Sequence, residues 1–309
     1  MNNELLVSVQ AAGWLNPMFD KGMGEDGFKL MKECGVEAID YNFEAKLPHR
    51  LIESGDKGTF FTKSIEEILD YLKPIKEWAD KYGIKFAQSH APFPAYRIGD
   101  DEYNKYIVEA IEKCIIACDF LECPAIVVHP FCHVDRKVAE NANLSFYRAL
   151  MPTAKKYGVK ICLENIFFYN NGVITVIDCS DANRAAALVD KLNEEAGEDV
   201  FGFCFDLGHA SLLGTNVREF IRTMGKRITA LHLHDNDGYV DQHLAPMTQR
   251  KTDWEGLIAG LRDVGYRGPI SFESAKSILD GYPTVLWGAM IEYTADVGKY
   301  IRKKVLENA

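Results

Sequence analysis

Acidic and histidine residues recur along this chain at the points where short apolar runs end. The residues concerned are Glu164, Asp206, His232, His234 and Glu273. Carboxylate oxygens and imidazole nitrogens bind divalent metals in proteins, and the same groups transfer protons during catalysis. Three carboxylates brought together would repel one another unless a cation or protons compensated their charge. The pattern therefore predicts a divalent-metal site made of Glu164, Asp206, His232 and Glu273.

The composition of this predicted site does not select one element. Two glutamates, one aspartate and one histidine form a mixed oxygen and nitrogen set that suits Mn, Co, Mg or Zn, and we expect one such divalent ion as the cofactor. His234 lies two residues after His232, so both side chains point to the same side of a strand. His234 could support the ligand set, contact a substrate, or be a hydrogen-bonded histidine without a chemical role.

Further residues of the same chemical types could bind additional metal or substrate. They are His90, His129, His209, Asp241 and His243. The first two end predicted strands, the third follows Asp206 by one helical turn, and the last two lie in the loop after His234. Their roles stay open from the residues alone.

Eight apolar or β-branched runs predict strands, and stretches with apolar residues three and four apart predict helices between them. The predicted strands are 5–10, 38–41, 84–90, 125–129, 159–165, 201–206, 228–234 and 269–273. Eight alternating strand and helix units without a linker predict an α/β fold, a single (β/α)8 TIM barrel spanning residues 1–309. The carboxyl ends of all barrel strands meet at one mouth, so this fold would bring the ligand-type residues together.

Composition narrows the classes of partner. The 309 residues are 47% hydrophobic and 26% charged, which fits a soluble protein with a large core. The formal net charge of -10 argues against nucleic acid as a partner. The amino terminus lacks a signal-peptide pattern and no apolar run could span a bilayer, so we expect a cytoplasmic protein without a membrane partner. The eight cysteines form no CxxC pair and are interpreted as reduced thiols; Cys132, near His129, is interpreted as a packing residue.

Several segments resemble, in order, the motifs of the xylose isomerase-like barrel superfamily. They are ENI at 164–166, DLGHA at 206–210, LHLHDNDG at 231–238, DQHLAP at 241–246 and SFES at 271–274. The resemblance covers nearly the whole chain and implies a metal-dependent sugar isomerase or epimerase. It also implies that Glu164, Asp206, His232 and Glu273 hold the metal. Glu164 and Glu273 would in addition transfer protons on either face of the substrate, next to its carbonyl.

Endonuclease IV belongs to the same superfamily and offers another interpretation. Its three-zinc cluster uses further positions, which His90, His129, His209, Asp241 and His243 match in type and order. The acidic net charge and the absence of a Lys/Arg run with interleaved aromatic residues argue against a DNA-repair nuclease. A non-catalytic, metal-dependent binding subunit is a further alternative.

Aromatic residues near the predicted mouth suggest a wall for a sugar or an attached ring. Those proposed to bind substrate are Trp14, Phe93, Phe131 and Phe167. With them, the chain resembles the large subunit of C-glycoside deglycosidases, lyases of the same superfamily that cleave 3-oxo-C-glycosides by elimination. In that case His133 could be the catalytic base; the alternative is a histidine of a surface loop without a chemical role.

The partner predictions follow from these interpretations. The small-molecule partner would be a sugar or glycoside. It would be unphosphorylated, because MTQRKTDWEG at 247–256 lacks the Gly-x-Gly turn that relatives often have there. We also expect a homo-oligomer, or a hetero-oligomer with a small partner subunit.

Overall fold

A computed structural model describes residues 5–10, 24–48, 51–52, 58, 60–249, 251–275, 277 and 281–307. Its described strands, in chain order, are β1 (Val7–Gln10), β2 (Ala38–Asn42), β3 (Lys85–His90), β4 (Ala125–Val127), β5 (Lys160–Glu164), β6 (Phe168–Asn170), β7 (Val173–Thr175), β8 (Phe201–Asp206), β9 (Ile228–His232) and β10 (Ile270–Phe272). Eight of them match the eight predicted strands.

These eight strands form one parallel sheet in the order β10, β1, β2, β3, β4, β5, β8, β9. A parallel bridge between Leu233 and Phe272 brings the last strand of this order back to the first. The sheet is therefore closed, and the prediction of a (β/α)8 barrel is confirmed.

Helices connect the strands around the outside of the barrel. The described α-helices are α1 (Gly24–Glu33), α2 (Ile65–Tyr82), α3 (Asp101–Phe120), α4 (Arg136–Tyr157), α5 (Ala182–Ala196), α6 (Leu207–Leu212), α7 (Val217–Met224), α8 (Trp254–Asp263) and α9 (Thr284–Leu306). Helix α2 begins with a capping box between Ser64 and Glu67, and ends at Gly83 in the left-handed conformation. Both features belong to the local sequence, so the ends of this helix are encoded within its own segment.

Four strands are shorter than predicted at their carboxyl ends. Strand β4 ends two residues before His129, β5 ends at Glu164 rather than Asn165, β9 ends at His232 rather than His234, and β10 ends one residue before Glu273. The apolar pattern continues past the last ladder pairing, so it does not mark the strand end to the residue. His129, His234 and Glu273 consequently lie on the first residues of the loops at the barrel mouth.

Strands β6 and β7 form an antiparallel hairpin outside the barrel sheet, which the prediction missed. Each strand has only three residues. Asn171 and Gly172 connect them, both with positive φ, as a two-residue hairpin turn requires. The hairpin directly follows the end of β5 and therefore lies on the side of the barrel where Glu164 emerges.

The barrel interior is filled by small side chains beneath this mouth. They are Ala125, Val127, Cys162, Cys204 and Ala230. The larger apolar side chains pack between the strands and the surrounding helices. Among the described residues, no helix combines the length and the apolar character that a membrane crossing would require.

Candidate metal centre

Four neighbouring parts of the barrel mouth supply the ligand-type residues. Glu164, Asp206 and His232 are the last residues of β5, β8 and β9, and Glu273 directly follows β10. One ligand atom from each of the four lies within 4.8 Å of the others. Glu164, Asp206 and His232 are fully buried, and Glu273 is 11% exposed. The structure thus brings together the four residues that the sequence singled out.

His232 stands between two carboxylates. Its Nδ1 atom lies 3.1 Å from Oε1 of Glu164 and 3.3 Å from Oε2 of Glu273. Burial lowers the pKa of His232, but Cys204 and the two glutamates outweigh it and raise that pKa well above its usual value. A single N–H on Nδ1 cannot donate to both carboxylates at once. Oxygen lone pairs of Glu164 and Glu273 therefore stay available to a cation.

Glu164 has the most strongly perturbed carboxyl of this group. Burial favours its neutral form, but His232 and His129 hold the pKa of Glu164 well below its usual range. Its Oε2 atom is buried and, among the described residues, has no donor with hydrogen-bond geometry. Glu164 is therefore a carboxylate at neutral pH, and its Oε2 atom lies 3.1 Å from Nε2 of His129 without hydrogen-bond geometry.

Asp206 is braced by its own strand end and by the helix that follows it. Its Oδ1 atom accepts a 2.6 Å hydrogen bond from the backbone N–H of His209, which caps α6. Asn165 exchanges two 2.7 Å hydrogen bonds with the Asp206 backbone. Burial opposes ionisation of Asp206, while His209 and His234 lower its pKa. The carboxylate is thus held in one orientation, with Oδ2 lying 3.2 Å from Nε2 of His234.

On one side of this centre, His90 and His129 form a histidine pair against Glu164. Their Nε2 atoms are 3.0 Å apart, and Nε2 of His129 is 3.1 Å from Oε2 of Glu164. Nδ1 of His90 donates to the carbonyl oxygen of Ala91 at 2.7 Å, so the lone pair of a neutral His90 lies on Nε2, facing the cluster. Burial, followed by His129, lowers the pKa of His90 and keeps this ring neutral.

On the other side of the centre, the Asp241 carboxylate lies close to three histidines. Its carboxylate lies 3.4 Å from Nε2 of His209, 3.1 Å from Nε2 of His243 and 3.8 Å from Nε2 of His234. Burial opposes these attractions, but His209 and His243 hold the pKa of Asp241 far below its usual range. Glu273 and Asp241 outweigh burial at His243 and raise its pKa to about 9. The five additional candidates therefore flank the four-residue centre in two groups.

The donor set fits a divalent cation. Four carboxylates converge with six histidines, and the buried atoms Oε2 of Glu164 and Oδ1 of Asp241 have no hydrogen-bond partner among the described residues. Oxygen and imidazole ligands in this mixture suit Mn, Co, Mg or Zn, and they do not discriminate sharply among those ions. Positive charge at this point would relieve the repulsion between the carboxylates.

Only some of the aromatic residues predicted to bind substrate lie beside the metal-ligand candidates. The Phe93 ring lies 4.6 Å from the His129 ring, and Phe167 meets the His209 ring edge-on at 5.2 Å. Phe131 instead stacks on His133 at 6.1 Å, and the fourth candidate, Trp14, lies outside the described residues. Phe93 and Phe167 are thus the two that border the metal-ligand candidates.

Cys132 and His133 lie between His129 and helix α4, and both have local partners. His133 accepts a 3.0 Å hydrogen bond at Nδ1 from the backbone N–H of Asp135. Burial raises the pKa of Cys132 to about 12, so this thiol is protonated at neutral pH. A protonated thiol is a poor metal ligand and nucleophile, which agrees with a packing role for Cys132.

Three buried polar residues next to the centre were not among the predicted site residues. Asp40, on β2, lies 3.1 Å from Nε2 of His232, and Gln88, on β3, donates to Asp40 at 2.8 Å. The available signal was a charged or amide side chain inside an apolar strand, because such groups are seldom buried without a partner. Gln10, on β1, similarly donates to Glu273.

Comparisons with known proteins agree with this architecture. A model of the family described as xylose isomerase-like TIM barrel matches residues 28–296. An uncharacterized protein of Methanocaldococcus jannaschii is 30% identical over 222 residues, covering 68% of this chain and 70% of that protein. An uncharacterized protein of Sinorhizobium fredii is 25% identical, covering 83% and 82%.

Solved structures show the same fold at lower identity. A D-tagatose 3-epimerase-like protein superimposes with a TM-score of 0.68 at 22% identity, covering 98% of this chain and 97% of that one. The 3-keto-D-glucoside 4-epimerase of E. coli gives 0.67 at 14% identity, covering 95% and 100%. The IOLI protein with a bound zinc atom gives 0.64 at 18% identity, covering 98% of each chain.

Proposed function

The chain belongs to the xylose isomerase-like TIM barrel family. Given this family and the geometry of the barrel mouth, we propose that the protein is a divalent-metal-dependent sugar isomerase or epimerase. The reaction would move a proton on the carbon next to a substrate carbonyl. Similar folds in a D-tagatose 3-epimerase-like protein and a 3-keto-D-glucoside 4-epimerase support this choice of substrate class.

The observation that carries the proposal is the pairing of two carboxylates at one buried histidine. Glu164 and Glu273 approach the same Nδ1 atom of His232, from strands β5 and the end of β10. Two carboxylates that face one point from different strands can remove a proton on one side of a bound sugar and return one on the other. A purely structural ion pair would need only one of them.

Glu164, Asp206, His232 and Glu273 would hold the cation. A divalent ion bound there supplies Lewis-acid polarisation of the substrate carbonyl, which acidifies the neighbouring C–H bond. Glu164 is the candidate for the base, because it is fully buried at the end of β5 and is ionised at neutral pH. Glu273, on the other side of His232, is the candidate that returns the proton.

The mouth also has a surface against which a sugar could lie. Phe93 and Phe167 present aromatic rings beside His129 and His209. Aromatic rings pack against the apolar CH faces of sugars, and the surrounding histidines and carboxylates can bind hydroxyl groups. If the carbon next to the new carbanion carries a leaving group, the same proton removal by Glu164 leads to elimination, as in a C-glycoside deglycosidase.

The first experiment is elemental analysis of the purified protein and two variants. Asp206→Ala removes a proposed ligand, and Asp190→Ala is the matched control, since Asp190 pairs with Arg227 on the surface. We expect about one Mn, Co, Mg or Zn per chain in the wild type and the control, and loss in Asp206→Ala. A wild-type protein without metal after reconstitution contradicts the proposal.

The second step is a substrate panel with the metal-loaded protein. Ketoses, aldoses and 3-oxo-glycosides are incubated in deuterium oxide, and exchange at the carbon next to the carbonyl is followed by NMR. Isomerase or epimerase chemistry gives exchange with a new sugar, whereas elimination gives a free aglycone. Sugar binding without exchange across the panel would instead favour a binding subunit.

A second candidate function rests on the two flanking groups of ligand-type residues. His90 with His129, and His209 with Asp241 and His243, could hold additional ions beside the first. A site with several metals would suit hydrolysis of a phosphodiester, as in endonuclease IV. Two or three zinc ions per chain together with cleavage of an abasic duplex would support it. One ion per chain and no cleavage would exclude it.

A further inference from the structure

We propose that Asp40 is a positioning residue of the metal centre: it holds the His232 imidazole by Nε2 so that Nδ1 faces Glu164 and Glu273, where a cation would take the place of the Nδ1 hydrogen. The inference rests on the proposed function only in taking His232 as a metal ligand. It concerns a residue of β2, on a different part of the barrel from the four ligand candidates.

The two nitrogens of His232 face different groups. Nδ1 faces Glu164 and Glu273, whereas Nε2 lies 3.1 Å from Oδ2 of Asp40. A carboxylate can only accept a hydrogen bond, so the hydrogen between His232 and Asp40 belongs to Nε2. With Nε2 occupied in this way, Nδ1 is the nitrogen that can exchange its hydrogen for a cation. Both residues are fully buried, so water does not compete for this hydrogen bond.

Gln88, the neighbour of Asp40 on the adjacent strand β3, holds the Asp40 carboxylate in place and reaches across the barrel to Leu231. Its Nε2 atom donates to Oδ2 of Asp40 at 2.8 Å and to the carbonyl oxygen of Leu231 at 3.1 Å. Its Oε1 atom accepts from the N–H of Leu231 at 3.3 Å. Gln88 lies on β3, which is four strands from β9 in either direction around the barrel. This side chain therefore couples Asp40 to the backbone immediately before His232.

The position is not explained by stability alone. Burying a carboxylate costs several kcal/mol unless it is paired and hydrogen-bonded. Asp40 nevertheless keeps Oδ1 buried without a hydrogen-bond partner among the described residues, and its other oxygen serves His232 and Gln88. A carboxylate behind a ligating histidine orients the ring and increases its basicity toward the metal. That role requires a charged group at this point, and a neutral one would satisfy the packing equally well.

The test measures metal affinity directly, without using turnover. Metal-free wild type, Asp40→Asn and Ser89→Ala are titrated with Co²⁺ or Zn²⁺ by calorimetry. Ser89 is a matched control, because it is buried on β3 beside Gln88 but bonds to Cys118 and Ala125 instead. We expect the affinity of Asp40→Asn to fall about 10- to 100-fold, with Ser89→Ala close to wild type. The Co²⁺ absorption spectrum should also change in Asp40→Asn, because the orientation of one ligand changes.

The outcomes separate this inference from the proposed function. A wild-type protein that binds no metal contradicts the metal proposal itself, whereas a wild type that binds and an Asp40→Asn variant within about twofold of it overturns the role of Asp40. If Asp40→Asn does not fold, Gln88→Leu carries the test. Loss of the Gln88 hydrogen bonds to Asp40 and Leu231 should weaken metal binding several-fold. An unchanged metal affinity of Gln88→Leu contradicts the inference.

Discussion

Gly208 lies directly against the imidazole ring of His234. A Cβ atom at Gly208 would be 1.9 Å from Cε1 of His234, a separation that no pair of carbon atoms tolerates. The ring is fixed on other sides as well, because Nε2 lies 3.2 Å from Asp206 and the ring stacks on His243 at 4.1 Å. Glycine is therefore required at position 208 of the DLGHA segment, because His234, in the loop after β9, approaches it so closely.

We predict that Gly208→Ala displaces His234 and destabilises the protein. The backbone at Gly208 is helical, so the cost comes from overpacking, which is typically about 1 to 3 kcal/mol in the free energy of unfolding. Gly288→Ala is the control, since this helical glycine has only Leu30 within range, at 3.6 Å. That change should be neutral or stabilising by up to about 1 kcal/mol. Urea unfolding of both variants measures the difference, and equal stabilities would disprove the close contact.

Replacing Glu164 by Gln should abolish turnover while the fold is retained. The amide cannot accept the substrate proton, so we expect kcat to fall by about 10²- to 10⁴-fold. Glu195→Gln is the control, because Glu195 pairs with Arg148 on the surface. Rates are measured at saturating metal, with metal content determined on the same samples. Activity above about 10% of wild type in a metal-loaded Glu164→Gln would remove this residue from proton transfer.

The main features of the fold and the four-residue centre could be predicted because they depend on local patterns. Each strand of a (β/α)8 barrel is an apolar run, and all of these runs end at the same mouth. Glu164 and Asp206 stand at the ends of their apolar runs, so the sequence alone places them at the barrel mouth. The exact strand ends could not be predicted from the apolar pattern. His234 and Glu273 directly follow apolar residues, but they lie beyond the ends of β9 and β10.

Two parts of the site depended on tertiary contacts or on weaker signals. Asp40 could not be connected with His232, because 192 residues separate them and only barrel closure brings them to 3.1 Å. The β6–β7 hairpin did have a signal, the Asn171-Gly172 turn, but three-residue strands offer too short an alternation to be recognised by periodicity.

The metal-free protein should lose stability as the pH rises from about 7 to above 9. Asp241 and Glu273 raise the pKa of His243 from 6.5 to about 9, so its charged form stabilises the folded state. This contribution is fully present below pH 6.5 and is lost as the pH passes through about 9. The His243 side chain is 25% exposed, and we expect a loss of about 1 to 3 kcal/mol in the free energy of unfolding.

The pH dependence is measured by urea unfolding of chelator-treated protein between pH 6 and 10. His243→Gln removes the titrating group, so the difference between the two proteins isolates its contribution from that of lysines and thiols. The wild type should be the more stable at pH 6.5, and the two curves should converge above pH 9. Parallel curves would show that His243 has the same pKa in the folded and unfolded states.

Phe167→Ala should weaken substrate binding more than it slows the chemical step. Phe167 packs edge-on against His209 at 5.2 Å and borders the group around Asp241, but it carries no group that could transfer a proton. Loss of its ring removes apolar contact with the sugar, which is worth about 1 to 2 kcal/mol and would raise KM about 5- to 30-fold. Tyr239→Ala is the control, because that side chain is 75% exposed in the loop before Asp241. Steady-state kinetics on the substrate found in the panel separate the two effects. A fall in kcat with KM unchanged would instead mean that Phe167 acts by holding His209, so the aromatic ring would belong to the support of the metal centre and not to the sugar wall.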